Sequence, residues 1–592
     1  MQKRIGMWLA AVALLSAGLD VALAMRGGRG WGAGDALTAW VIALVGVLPF
    51  MVPALLASVK WPERVPGLLV GSLALLHLAV GIRFGPLVNA PLSSPPVLGT
   101  WLALGIGCTL IGWFSGPWLG RVAGPRVLGA IGVIGLLGVP VGLARTMGGP
   151  GAPSATAAAD APNVLVVTLD TTRPDHLGAY GRDIQTPHLD ALAARGVVFE
   201  QAIAAAPQTG PSHLSLLTGR YPLTHGVVAN GTDIGEQPMI ATALRNVGYR
   251  TGAFVAAFPV HERFGFGQGY EVYDSDFSPI VGLHELAPMR ALDAVVFRNL
   301  PRERTGDQVN TRALRWLRRV DDSKAPMMMW VHYYDPHGPY TPPAPYHEMY
   351  TNGPPRDLEP MELPHYWPAD QRAIFDPEYL EAQYDAEITY TDALLGELFA
   401  AVNDLSRPTI VVVTADHGES MTEHGVLFDH GDDLYDTELK VPLIVAGPGV
   451  SSGLRLDCQT PSVDIVPTVF ELLGIADTAE RDGRSLAGAL AGRGCSDRDA
   501  YASTVGERVL DPPVDHALRR PDVKYIAKER SPHELYLLEH DPDELDNVYT
   551  TAPGTEVIEG LLQAAIDGSV APRDADNSEE VVEMLRQLGY VE

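Results

Sequence analysis

Val164-Leu165-Val166-Val167-Thr168-Leu169 is a short run of apolar and β-branched residues without polar alternation, and Asp170 follows it at once. Met327 to His332, Thr409 to Thr414 and Val441 to Ala446 have the same form. A strand with one wet face alternates apolar and polar side chains, whereas an unbroken apolar run suits a sheet covered on both faces. Helical stretches lie between these runs. In one of them, Tyr379 to Val402, the side chains of Tyr384, Ile388, Leu395 and Leu398 fall along one face. The alternation predicts an α/β fold with a doubly wound, mostly parallel sheet, whose sites form beyond the carboxyl ends of its strands.

Upstream the texture changes. Residues 147–161, mostly the small, nearly uncharged stretch GGPGAPSATAAADA, have the composition of a linker. Before it, residues 1–146 hold five apolar segments: Ile5 to Met25, Ala36 to Val59, Val65 to Ile82, Val97 to Leu119 and Val127 to Ala144. Each approaches the ~20 residues that cross a hydrocarbon core as a helix, which predicts an all-α transmembrane region of about five helices. Lys3 and Arg4, with Ala22-Leu23-Ala24, also give the first segment the form of a signal peptide, but the four segments that follow favour a retained helix. With Lys3 and Arg4 inside, the basic loop residues fall mainly inside and the C-terminal part lies outside, so the expected location is a multi-pass cell-membrane protein with its larger part extracytoplasmic. Asp20 and His77 are the only ionisable side chains well within the spans, which fits an anchor better than a transporter.

The net charge of −28 is unevenly spread, because the first 146 residues carry +7 and leave −35 on the remainder. So acidic a surface repels nucleic acid and excludes it as a partner; the apolar segments make the lipid bilayer an expected partner, and any anionic substrate must be small or locally compensated. Of the three cysteines, Cys108 lies in an apolar segment, while Cys458 and Cys495 could form one disulfide or stay as two thiols.

Two strand ends carry metal-ligand residue types: Asp170 after the first run, Asp416 and His417 after Thr409 to Thr414. A lone strand-end Asp is ordinarily a cap or turn former, but the coincidence of these residues in one sheet favours a divalent metal. Between them, Pro207 to Arg220 (PQTGPSHLSLLTGR) reads as an apolar helix entered at Thr209, which should be its N-cap, with free amides that suit an oxyanion. His213 lies one turn on and could orient Thr209 or touch the anion. His176, His188, His225, His332 and His424 read as framework residues.

The segments NVLVVTLDTTRPDHLGAYG, TGPSHLSLLTGRYPLTHGV, HYYDPHGPY, VVVTADHGE, LYDTELKVPLIV and VDIVPTVFELLG stand in the order found in sulfatases and their relatives in the alkaline-phosphatase superfamily. KYIAKERSPHELYLLEHDPDELDNV resembles the closing hairpin of the sulfatase C-terminal subdomain. The resemblance implies a catalytic domain over 162–475 and a smaller α+β subdomain over 476–592. It puts Asp170, Asp416 and His417 on metal ligands, Thr209 on the nucleophile with its oxygen completing the shell, and His337 on a histidine that contacts the transferred group. His430 lies near a basic residue of similar role. One divalent ion, Ca, Mn, Mg or Zn, is implied.

Three positions depart from the family pattern. Thr209 replaces the Cys or Ser that becomes formylglycine, His213 replaces the signature arginine, and Thr171 replaces a second aspartate. A sulfated threonine cannot expel sulfate by collapsing to an aldehyde, whereas a phosphorylated one is open to in-line displacement. Threonine nucleophiles serve related phosphotransferases and phosphodiesterases, and lipoteichoic-acid-synthase-like enzymes share the arrangement of five membrane helices before an external domain. The expected activity is hydrolysis or transfer on phosphate-type esters; the rivals are a sulfatase working without formylglycine and a non-catalytic envelope-binding protein. Loops 264–304 and 342–377 are expected to wall the pocket.

Overall fold

The computed structural model describes residues 160–277, 303–321, 325–356, 363, 364, 367, 372, 376–505 and 514–573. The five apolar segments and most of loop 264–304 lie outside the described residues, and among those described no helix is long and apolar enough to cross a membrane. The chain divides into two units, residues 1–152 with 276–302 and residues 153–275 with 303–592. The second holds the sheet.

Its elements run β1 (Asn163–Leu169), α1 (Pro187–Ala194), β2 (Val197–Ile203), α2 (Thr209–Thr218), α3 (Ile240–Asn246), β3 (Arg250–Phe254), β4 (Val272–Asp274), α4 (Gly306–Asp321), β5 (Met327–Tyr333), α5 (Pro377–Asn403), β6 (Thr409–Ala415), β7 (Lys440–Ala446) and β8 (Leu454–Pro461). The eight strands form one sheet in the order β4-β3-β5-β1-β6-β7-β2-β8. Every pairing is parallel except those of β7, which runs against both β6 and β2.

The period of two along a strand divides its residues between the faces. Leu165, Val167, Leu169, Met329, Val331, Val411 and Val413 join one core with α4 and α5, through Trp316, Leu317, Tyr384, Ile388, Leu395 and Leu398. The alternate residues, among them Thr168, Trp330 and His332, face the other side, where His213 of α2 meets them. All ten residues of α2 are buried. Hence the strands carry no polar alternation: both faces are covered.

A second, antiparallel sheet follows, in the order β12-β11-β10-β9, from β9 (Ala500–Val505), β10 (Val514–Arg519), β11 (Lys524–Ala527) and β12 (Glu534–Tyr536). The hairpin quoted from the sequence is β11 with β12. A further helix, Thr555–Asp567, buries Ile558 and Leu562 against Leu518, Tyr525 and Leu535 of this sheet. Cys458 of β8 and Cys495 are joined as a disulfide, which ties the main sheet to the segment entering β9. Fully buried Lys524 is neutralised by Asp436 at 3.0 Å and Glu544 at 2.8 Å, the pairing a buried ammonium requires.

Candidate active site

Because β5, β1 and β6 are adjacent and parallel, their carboxyl ends share one edge. Asp170 leaves β1 there with its amide bonded to the Tyr333 carbonyl at 2.9 Å, and Asp416 and His417 leave β6 beside it. Thr171 turns the chain with φ of 49° and donates its amide to Asp416 Oδ1 at 3.3 Å. The His417 amide takes the same oxygen at 3.0 Å, which leaves Asp416 Oδ2 facing the site with no partner. Gly418 follows because a Cβ there would lie 2.1 Å from the Thr437 carbonyl oxygen.

His332 orients Asp170. The ring accepts the Ala256 amide at Nδ1, 3.3 Å, so Nε2–H donates to Asp170 Oδ2 at 3.1 Å, and Asp170 Oδ1 is left without a partner. His417 donates Nδ1–H to the Gly418 carbonyl at 2.9 Å, which turns the lone pair of Nε2 inward. That nitrogen lies 3.9 Å from Asp170 Oδ1, 3.5 Å from Asp416 Oδ2 and 3.4 Å from Thr209 Oγ1. Asp170, Asp416 and His417 offer three ligand atoms within 4.8 Å of one another, all fully buried. Two buried carboxylate oxygens without partners, an imidazole lone pair and a hydroxyl make a donor set that fits a divalent ion. The electrostatics agree. Burial and the Asp416 charge push the Asp170 carboxyl well above its ordinary range, while His417, His213 and His332 overcome burial and hold Asp416 below it.

Thr209 is the first residue of α2 and not its N-cap, as the sequence had suggested. The cap position falls to Gln208, in extended conformation with no capping bond from its side chain. That side chain instead accepts the Asn230 amide at 3.0 Å and donates to the Gly431 carbonyl at 3.1 Å. The Gly210 amide goes to Asn230 Oδ1 at 2.7 Å, and Pro211 has none, so the helix end offers an anion no more than the Thr209 amide.

His213, one turn on, is buried with both nitrogens engaged. Nδ1–H donates to the Thr209 carbonyl at 2.8 Å; Nε2 accepts from Thr168 Oγ1 at 2.9 Å, which itself accepts Trp330 Nε1–H at 3.0 Å. Burial lowers this imidazole to about 3, so it is neutral. His213, His332 and Asp416 also converge as potential ligands, but the bonds just described occupy both nitrogens of both rings.

His337, after β5, donates Nδ1–H to the Gly338 carbonyl at 2.6 Å, and its ring lies 4.8 Å from that of His430. His430 in turn lies 4.4 Å from His417 and is held at Nδ1 by Glu419 Oε1, 2.8 Å away. Burial lifts Glu419 to about 8. The edge therefore collects Thr209, His417, His430 and His337, with His213 behind Thr209. Glu419, Asn230 and Gln208 were not singled out from the sequence, and His332, read there as framework, orients a proposed ligand. Glu419 stands in the same ADHGE segment as two proposed ligands; Asn230 and Gln208 carry no local signal. His176 and His225 are framework residues, bonded to Asp385 and Ser215.

The sequence profile of the family described as Sulfatase matches residues 162–475. The chain is 26% identical over 499 residues to the multifunctional alkaline phosphatase superfamily protein PehA of Trinickia caryophylli, covering 70% of this chain and 96% of that one. It is 26% identical over 439 residues to the choline-sulfatase of Rhizobium meliloti, covering 65% and 82%. Among solved structures, the phosphonate monoester hydrolase of Agrobacterium radiobacter has the same fold, with a TM-score of 0.56 at 23% identity over 69% of this chain and 95% of that one.

Proposed function

The chain belongs to the sulfatase family and is an ester hydrolase; from that premise we propose that it is a membrane-anchored, metal-dependent hydrolase or transferase that opens phosphate-type esters through the hydroxyl of Thr209. The observation that carries the reading is the Thr209 hydroxyl, 3.4 Å from His417 Nε2 and beside the partnerless oxygens of Asp170 and Asp416.

Asp170, Asp416 and His417 would hold one divalent ion, which when bound supplies a Lewis acid that favours the alkoxide and neutralises oxygens of the transferred group. Thr209 Oγ1 forms the new bond to phosphorus as the bond to the leaving alcohol breaks. His213 fixes the backbone of the nucleophile through its carbonyl, and His332 fixes Asp170. His430, braced by Glu419, gives the departing oxygen its proton, while His337, kept neutral by burial with its Nδ1–H on the Gly338 carbonyl, stands beside it as a wall of the site. Water or an acceptor hydroxyl then releases the phosphoryl group from Thr209. Threonine cannot become formylglycine, so the exit open to a sulfated family enzyme is closed here, and displacement at phosphorus is not.

The five apolar segments before residue 147 support an anchor, and the Cys458–Cys495 disulfide supports an oxidising, extracytoplasmic setting for the catalytic part. The substrate is then a small or lipid- or glycan-linked ester. Parallel assays with aryl sulfate, aryl phosphate and aryl phosphodiester test the reading on wild type, Thr209→Ser and Thr209→Ala. Thr209→Ala should lose at least about a thousandfold in kcat on the phosphate-type ester, with Thr209→Ser active. Aryl sulfate as the best substrate would favour a sulfatase working without formylglycine instead.

A further inference from the structure

We infer, on the reading of Thr209 and His430 given above, that the second sheet serves the reaction. Thr504 of β9, together with Gln208, is a positioning residue that sets the proton donor His430 against the nucleophile.

The reaction joins two segments that are distant in sequence, Thr209 at the head of α2 and His430 in the loop between β6 and β7. The residue before the first is Gln208 and the residue after the second is Gly431, and these two are bonded: Gln208 Nε2–H donates to the Gly431 carbonyl at 3.1 Å. Thr504 donates its hydroxyl to the same carbonyl, and its Oγ1 lies 3.3 Å from Gln208 Nε2. The three groups close a triangle with one corner on the nucleophile helix, one on the His430 loop and one on the second sheet. All three residues are buried. The outer sides of the joint are fixed as well. Gln208 Oε1 accepts the Asn230 amide at 3.0 Å, and the Gly431 amide donates to Glu438 Oε2 at 2.8 Å. Gly431 makes its turn at a φ of 106°, a region that favours glycine.

The rest of the second sheet reaches the same loop. Tyr435 donates its hydroxyl to Glu534 of β12 at 2.9 Å, and Asp436 pairs with Arg519 of β10 at 2.7 Å and Lys524 of β11 at 3.0 Å. Each of the four strands therefore sends a polar side chain to residues 431–436. Buried polar groups are costly unless partnered, and a sheet kept only for its own apolar core has no need to aim one from every strand at the residues that follow His430.

A proton donor acts only within hydrogen-bond reach of the departing oxygen. A small displacement of the His430 loop therefore weakens proton transfer to the leaving group while attack by Thr209 continues. The Thr504 hydroxyl bears on that distance through Gly431. Its removal leaves the Gly431 carbonyl with Gln208 as donor, so the fold keeps its buried bond and the loop loses one of two restraints.

The test uses the full chain in detergent with added Mn²⁺ and the p-nitrophenyl and phenyl esters of phosphate, methyl phosphate and sulfate, taking the pair turned over fastest. p-Nitrophenolate departs without a proton, whereas phenol needs one. Thr504→Val should lower kcat on the phenyl ester about tenfold, change it less than about twofold on the p-nitrophenyl ester and leave KM in place. Thr504→Ser, which returns the hydroxyl, should restore the phenyl ester to within about twofold of wild type. His430→Ala should lose at least about a hundredfold on the phenyl ester alone, and adding Thr504→Val to it should cost nothing more. An unchanged phenyl ester rate in Thr504→Val, an equal loss on both esters, or losses that add in full to those of His430→Ala would overturn the inference. Thr209→Ala separates the two claims: activity surviving in it, with Thr504 and His430 still coupled, refutes the nucleophile and leaves the positioning standing.

Discussion

Replacing Asp170 with asparagine should stabilise the metal-free protein while abolishing its response to metal. The ligand atoms of Asp170, Asp416 and His417 lie within 4.8 Å of one another. Two carboxylate charges at that separation repel by about 3 kcal/mol at an effective dielectric constant of about 20. Asp170 is the partner held above its ordinary range, by burial first and Asp416 second. A carboxyl raised on folding contributes stability at low pH and loses it as pH rises through the folded value, so the metal-free wild type weakens towards neutral pH. The amide introduced by Asp170→Asn keeps the shape of the carboxyl group, removes its charge and can donate towards Asp416 Oδ2. For a folded part of this size, about 3 kcal/mol corresponds to roughly 3 °C in Tm. Calorimetry in chelator at pH 8 should therefore show Asp170→Asn melting about 3 °C above wild type, with the gap closing towards pH 4. Added Mn²⁺ should raise the wild-type Tm and leave the variant unmoved. A variant that melts below wild type in chelator, or a wild type indifferent to chelation, would refute the reasoning.

Other consequences are as specific. His332→Phe removes the donor to Asp170 Oδ2 and should weaken Mn²⁺ binding by calorimetry about 10- to 100-fold, whereas Thr209→Ala should change it far less. Burial lifts Asp335 to about 6, with one oxygen bonded to the Gly306 amide at 2.9 Å and the other without a partner. Its stabilising contribution is therefore present below pH 4 and lost through pH 6, so Asp335→Asn should stabilise by about 3 kcal/mol in urea melts at pH 8 and by nothing at pH 4. Reducing the Cys458–Cys495 bond, which closes a separation of 37 residues, should cost up to about 4 kcal/mol, and those two thiols should alkylate only after reductant.

The parts of the fold that could be read from sequence are those where burial on two faces leaves no polar residue in a strand. β1, β5, β6 and β7 lie within a residue of their expected bounds for that reason. β2 mixes Glu200 and Gln201 into its run, and β3 centres on Gly252, where a Cβ would lie 2.8 Å from the Trp316 ring, so neither carries the same pattern. Asp170, Asp416 and His417 announced themselves by standing at strand tips. His332 did not, because a histidine in an apolar strand looks like framework until the β1–β5 register sets it opposite Thr168, two residues before Asp170. Gln208 holds the cap position with its side chain bonded across the loop to Asn230 and Gly431, long-range partners that a local capping preference does not see. His213 was legible as a neighbour of Thr209, but its inward orientation depended on Thr168 and Trp330 from two other strands.

The nucleophile is tested most directly by rapid quench of the metal-loaded enzyme with a phosphodiester, followed by peptide mass analysis across residues 207–220. The account predicts a phosphoryl adduct, still carrying one alcohol, on Thr209 during turnover and none in Thr209→Ala, which is inactive. An unmodified Thr209 peptide under quench, together with activity that survives Thr209→Ala, would contradict it.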